Sequence, residues 1–260
     1  MKRECFQQLY DFAGVSKGVK HFCNASAFDE LFVIQMRDYV GNPYLFRVED
    51  FPDLTYSVSG NSFNMKFSGV VLLAGTTVEV TVSRDDKSVL YWNIFITPGR
   101  DDFKVEWVNF PRVVFSSPGC KYLIPNAEGA EISDLADCQE NGFFKCNLVE
   151  YPMTGTDSFY PGPAAMQFEA LYDTVAGLYI GCHDKSDQPK VIDFYPEGKG
   201  GICVLQQFTG GAGTPGYAVE MHSFRGDWQD AADIYRNWLE KEQLMPEKLV
   251  DNMPEVLDAS

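Results

Sequence analysis

The residues best suited to chemistry fall in two places. His183-Asp184 ends the run GLYIGCHD, where an imidazole and a carboxylate leave a strand-like segment side by side. Such a pair can hold a ligand's hydroxyl groups or transfer a proton near neutral pH. Glu220 and His222 stand two apart in YAVEMHSF, a spacing that puts both side chains on one face of a strand. With His183 they offer the acid and base that proton exchange on a sugar ring requires. Each group also has a structural reading. His183 and Asp184 can satisfy backbone groups at the turn before Lys185-Ser186-Asp187, and Glu220 and His222 can be ordinary polar positions on a half-exposed strand.

A third group is aromatic. Tyr151, Phe159 and Tyr160 lie among Pro152, Pro161 and Pro163. Rings of this kind stack on the apolar C–H face of a sugar, and a proline-stiffened loop loses little entropy on binding. They can equally pack beneath their own loop. Together, Tyr151, Phe159, Tyr160, His183 and Asp184 are the candidates for sugar contact. Trp92 and Trp107 sit in strand-like segments and read as core, while Trp228 and Trp238 read as fastening a last helix to the sheet. No metal or cofactor is expected. Cys182, Cys203 and His183 lack the spacing of a known metal site, and the glycine run Thr209–Thr214 has no following lysine to cradle a phosphate.

Composition narrows the partners. The 260 residues are 45% hydrophobic and 14% aromatic, enough for a large core. Asp plus Glu number 37 against 21 Lys plus Arg, giving a net charge of −16. That field repels a phosphate backbone, so nucleic acid is not an expected partner, whereas a neutral carbohydrate is indifferent to it. The seven cysteines are odd in number and form no CxxC pair, which favours buried thiols in a reducing compartment. Met1-Lys2-Arg3-Glu4 does not lead into an apolar stretch, so the expected location is cytoplasmic. No apolar run reaches the ~18 residues of a membrane span.

The elements that must position these residues read mostly as strands. Met166, Phe168, Ala170 and Tyr172 alternate with Gln167, Glu169 and Leu171, and the chain turns at Asp173–Gly177 before returning toward Asp184. Upstream, Glu30–Asp38 is a firm strand, and Leu54–Ser59 and Ser62–Val70 flank a Gly60-Asn61 turn. Thr76–Ser83 and Val89–Thr97 continue a meander, followed by Phe103–Phe110 and Arg112–Ser116. Ser117–Gly162 is irregular, and Val191–Tyr195, Ile202–Phe208 and Tyr217–Phe224 complete the set. Glu4–Phe12 reads as a first strand. One helix is predicted, capped by Asp227, with Trp228, Ala231, Ala232, Tyr235, Trp238 and Leu239 in one stripe and a stop at Pro246. The expected organisation is an all-β domain over residues 1–226, a packed helix over 227–245, and a tail or linker start over 246–260.

Six blocks carry a family resemblance: LFVIQMRD (31–38), VEWVNFPRVVF (105–115), LIPNAEGAEI (123–132), YPGPAAMQFEALYD (160–173), GLYIGCHD (177–184) and HSFRGDWQDAADIYRNWLEK (222–241). They resemble the N-terminal region of uncharacterised bacterial glycoside hydrolase-like proteins of the DUF6259 type. The resemblance implies a galactose-mutarotase-like supersandwich of two large antiparallel sheets, followed in the parent protein by a (β/α)8 barrel, with the C-terminal helix bridging the two. This chain has no βα alternation to build a barrel. The resemblance therefore implies a non-catalytic domain that supports a catalytic barrel of the same protein and lines its sugar cleft. A stand-alone sugar mutarotase or epimerase using His183, Glu220 and His222, or a carbohydrate-binding module, is the alternative.

Overall fold

The computed structural model describes residues 2–116, 119–125, 129–133, 159–197, 200–209 and 213–245. The chain opens on two helices, α1 (Lys2–Ala13) and α2 (Lys17–Phe22). The strand expected over Glu4–Phe12 is therefore helical. Cys5, Phe6, Leu9, Phe12 and Ala13 recur at helical spacing and bury one face, with the Phe12 ring 5.8 Å from that of Phe63. The early apolar positions follow the period of a helix, and the tertiary contact rewards that face.

The first strands are β1 (Val33–Asp38), β2 (Pro43–Arg47), β3 (Asp53–Ser59) and β4 (Ser62–Ser68). Next come β5 (Thr77–Arg84), β6 (Leu90–Thr97), β7 (Phe103–Asn109) and β8 (Val113–Phe115). Short strands β9 (Lys121–Ile124), β10 (Ala130–Ile132) and β11 (Phe159–Tyr160) form within the irregular stretch. The last are β12 (Phe168–Tyr172), β13 (Gly177–Cys182), β14 (Lys190–Glu197), β15 (Gly200–Phe208) and β16 (Val219–Phe224), before helix α3 (Trp228–Lys241).

These strands make two sheets. One holds seven, in the order β11-β14-β15-β7-β1-β2 with β8 also on β15; the other holds nine, in the order β10-β9-β12-β13-β16-β6-β5-β4-β3. The described ladders are antiparallel throughout. The hairpin expected at Gly60-Asn61 is present: Ser59 pairs with Ser62, and Gly60 adopts the positive φ of 56° that such a turn needs. Alternation then sorts the faces. Val78, Val80 and Val82 of β5 and Leu178 and Ile180 of β13 share one core with Ile34, Met36 and Phe194 of the other sheet. Across the gap the Tyr122 and Phe194 rings stand 5.1 Å apart. Trp92 and Trp107 are buried, as their strand positions suggest.

A second, smaller cluster lies on the other face of the nine-stranded sheet. Phe168, Ala170, Tyr172 and Tyr179 pack there against Ala231 and Tyr235 of α3, with Trp238 and Leu239 at its margin. Asp227 caps this helix as its type predicts, accepting from the Gln229 N–H while Asp230 accepts from the Asp227 N–H. Trp228 shares the stripe of Ala231 and Tyr235 but is the first residue of the helix and stays 45% exposed, so the buried Ala231 and Tyr235 fasten the helix more than it does. Cys5, Cys23 and Cys182 are buried thiols, each pushed up to about 12 chiefly by burial. No helix among the described residues is long and apolar enough to cross a membrane.

Candidate functional site

Strands β13 and β16 are neighbours, with Tyr179 opposite His222 and Gly181 opposite Glu220. Leu178, Ile180, Cys182, Val219 and Met221 point into the core between the sheets. Tyr179, Gly181, Glu220 and His222 consequently point the other way, toward α3. His183 is the first residue past β13 and continues that row.

The three groups meet. The Glu220 carboxylate lies 2.9 Å from His183 Nδ1 through one oxygen and 2.8 Å from His222 Nε2 through the other. An ionised carboxylate only accepts, so both imidazole nitrogens donate to it. The Tyr179 hydroxyl sits 2.9 Å from His183 Nε2. Burial pushes the Glu220 carboxyl up, but the bonds from His183 and His222 outweigh it and hold the group down at about 2. Glu220 is thus a firm carboxylate and a poor proton acceptor.

Helix α3 roofs the cluster. The Trp238 indole stacks on the His183 imidazole with ring centroids 4.8 Å apart and planes within 9°. The side chains of His183, Glu220 and His222 retain only 9%, 16% and 19% of their exposure. Two glycines make the arrangement possible. A Cβ on Gly181 would lie 2.5 Å from the Tyr179 hydroxyl, and one on Gly177 would lie 2.4 Å from the Phe224 ring.

Asp184 does not join this group. Consecutive residues of an extended chain face opposite ways, and the Asp184 carboxylate turns inward. It accepts from the Ser186 N–H (2.9 Å) and hydroxyl (2.6 Å), the Gln188 N–H (2.8 Å) and the Lys190 ammonium (3.0 Å). Burial raises its carboxyl, yet the Ser186 bonds and Lys190 hold it below the usual carboxylate range. The adjacent pair His183-Asp184 therefore divides between two networks, the second of them structural.

Tyr160 belongs to the second network. Lys190 is fully buried, with its ammonium 2.9 Å from Gln167 Oε1 and seated between the rings of Tyr160 (4.9 Å) and Tyr217 (4.7 Å). The Tyr160 hydroxyl donates to Asp187 at 2.5 Å. One ring face of Tyr160 is thereby given to a cation. Phe159 is half-buried beside Val191, its partner in the β11–β14 ladder, and Tyr151 lies outside the described residues.

Three participants escaped the sequence reading: Tyr179, Trp238 as a ring partner of His183, and Lys190. The first had a signal. Residues 179, 181 and 183 share a period of two, which places Tyr179 on the His183 face.

Fold and site define an all-β sandwich of two large antiparallel sheets whose outer face carries a His–Glu–His cluster under a C-terminal helix. Among solved structures the chain is similar to the alpha-N-acetylgalactosaminidase NagBb from Bifidobacterium bifidum. Against its Gal-NHAc-DNJ complex the TM-score is 0.60 at 14% identity, covering 86% of this chain and 36% of that one. Against its GalNAc complex the TM-score is 0.57 at 14% identity, covering 81% of this chain and 33% of that one. The chain spans about a third of the length of those enzymes. At this identity the likeness is one of fold. No family profile and no curated relative matches the sequence.

Proposed function

We propose that this chain is a non-catalytic sandwich domain of a carbohydrate-active, glycoside hydrolase-like protein. In that role it supports a catalytic barrel of the same protein and contributes to the wall of its sugar cleft. One observation carries the reading: the likeness to NagBb takes in 86% of this chain but only 36% of the glycosidase. A fold that accompanies a larger glycosidase in one protein is reasonably assigned the same accompanying role in another, although fold alone fixes no chemistry.

The intact mass of the gene product from its native cells tests this. The expected result is a protein well above the 29.2 kDa of this chain, with glycoside-hydrolysing activity in the same fractions. A product of 29.2 kDa would remove the accompanying barrel and the proposal with it.

A sugar mutarotase or epimerase is the second reading, favoured by the meeting of His183, Glu220 and His222. Two features weigh against it. A carboxylate held at about 2 is a weak general base at neutral pH, and the Trp238 ring covers one face of the His183 imidazole.

A further inference from the structure

We propose that His183, Glu220 and His222 form a binding site for a divalent transition-metal ion, with zinc the best match. One ligand atom from each of the three lies within 4.8 Å of the others, and His183 Nδ1 and His222 Nε2 already touch the Glu220 carboxylate at 2.9 and 2.8 Å. Ligand atoms ~2.0–2.2 Å from a zinc ion lie roughly 3.3 Å apart at tetrahedral angles, so small side-chain rotations bring the three onto one ion. Two imidazoles and one carboxylate are a zinc donor set that leaves a fourth position for water. The three side chains keep 9–19% of their exposure, so the cluster is not sealed from solvent.

The surroundings match what a metal-binding histidine needs. The nitrogen remote from the ion is ordinarily engaged by an outer partner that fixes ring and tautomer. His183 has one: Tyr179 at its Nε2, 2.9 Å away, while the Trp238 stack holds the ring plane. Glu220 and His222 sit on one strand and His183 directly follows the strand beside it, so the donors are carried on rigid elements. A chain with net charge −16 also attracts cations over its whole surface.

Zinc takes the lone pairs of His183 Nδ1 and His222 Nε2, so a proton on either of these nitrogens moves to the other nitrogen of its ring, or to solvent where that nitrogen is already protonated. His183 then carries its proton on Nε2 and donates to the Tyr179 oxygen, reversing the direction of that hydrogen bond. The inference stands independently of the carbohydrate role.

The chain contains three histidines, and His21 pairs with Asp173 on another part of the surface, so it serves as an internal control. The experiment is a titration of the chelator-stripped chain with zinc, followed by calorimetry and by imidazole 15N resonances. One equivalent should bind, moving the His183 Nδ1 and His222 Nε2 resonances while His21 stays in place. Glu220→Gln should weaken the affinity at least ~10-fold, and Tyr179→Phe, which removes only the outer partner, by about 10-fold. Absence of saturable binding overturns the proposal. So does binding that shifts His21 alone, or that is equal in wild type and Glu220→Gln, since either marks an adventitious ion only. The resonance measurement uses the unaltered chain and decides the matter even if a variant fails to fold.

Discussion

The imidazole of His183 lies flat against the indole of Trp238, 4.8 Å between centroids. This contact joins the end of β13 to the last turns of α3, so the helix and the polar cluster hold each other in place. Trp238→Ala should destabilise the chain by about 1–3 kcal/mol, the loss of a half-buried aromatic and one ring pair. Urea denaturation measures it, and an unchanged midpoint would mean that α3 docks without this contact.

The glycines on the same face give a second test. Gly181→Ala places a methyl carbon 2.5 Å from the Tyr179 hydroxyl, and Gly177→Ala places one 2.4 Å from the Phe224 ring. Each neighbour is a ring on the packed face beneath α3, and overpacking of this kind costs about 1–3 kcal/mol. Gly181→Ala should also break the Tyr179–His183 hydrogen bond, which the His183 imidazole resonances report.

Lys190 predicts the largest single loss. Its ammonium is fully buried against Asp184, so Lys190→Met leaves a buried carboxylate without its counter-charge. Removing one partner of a buried pair costs about 3–5 kcal/mol. Asp184 keeps its bonds from Ser186 and Gln188, which places the expected loss at the lower end. A loss under about 1 kcal/mol would show that the buried ammonium and its pairing with Asp184 contribute little net stability.

Acid sensitivity has an identifiable contributor in Glu131. Its bond to Lys121, at 2.6 Å, and its contact with the Tyr172 hydroxyl hold its carboxyl below the ordinary value of 4.5. A depressed folded-state value stabilises the fold above the unfolded value, and that stabilisation fades as pH falls through the folded one. Wild type should therefore lose more stability than Glu131→Gln as pH falls from neutral through 4.5 and the lower folded-state value, and the difference should stop growing once the carboxyl is protonated in both states. Parallel pH profiles would contradict this assignment.

The strands were legible where a local pattern sufficed. Alternation in Thr77–Arg84 and the Gly60-Asn61 turn mark their hairpins without help from the rest of the chain. The stripe Ala231–Tyr235–Trp238 announces α3 in the same way. In Lys2–Ala13 the competing period was missed, since Phe6, Leu9, Phe12 and Ala13 satisfy a helix better than a strand. The site was half legible. Spacing puts Glu220 and His222 together, but their meeting with His183 depends on the register of β13 on β16, which is set across 36 residues of intervening chain. Sequence adjacency suggested Asp184 as the partner of His183; strand geometry sends the two to opposite sides of the sheet.

The measurement that bears most directly on the central claim is turnover by the 260-residue chain itself. Polarimetry of freshly dissolved galactose and N-acetylgalactosamine, with an aryl-glycoside panel alongside, should show neither faster anomer interconversion nor hydrolysis. Turnover that disappears in Glu220→Gln, with the variant still folded, would make the His183–Glu220–His222 cluster a catalytic centre and contradict the account.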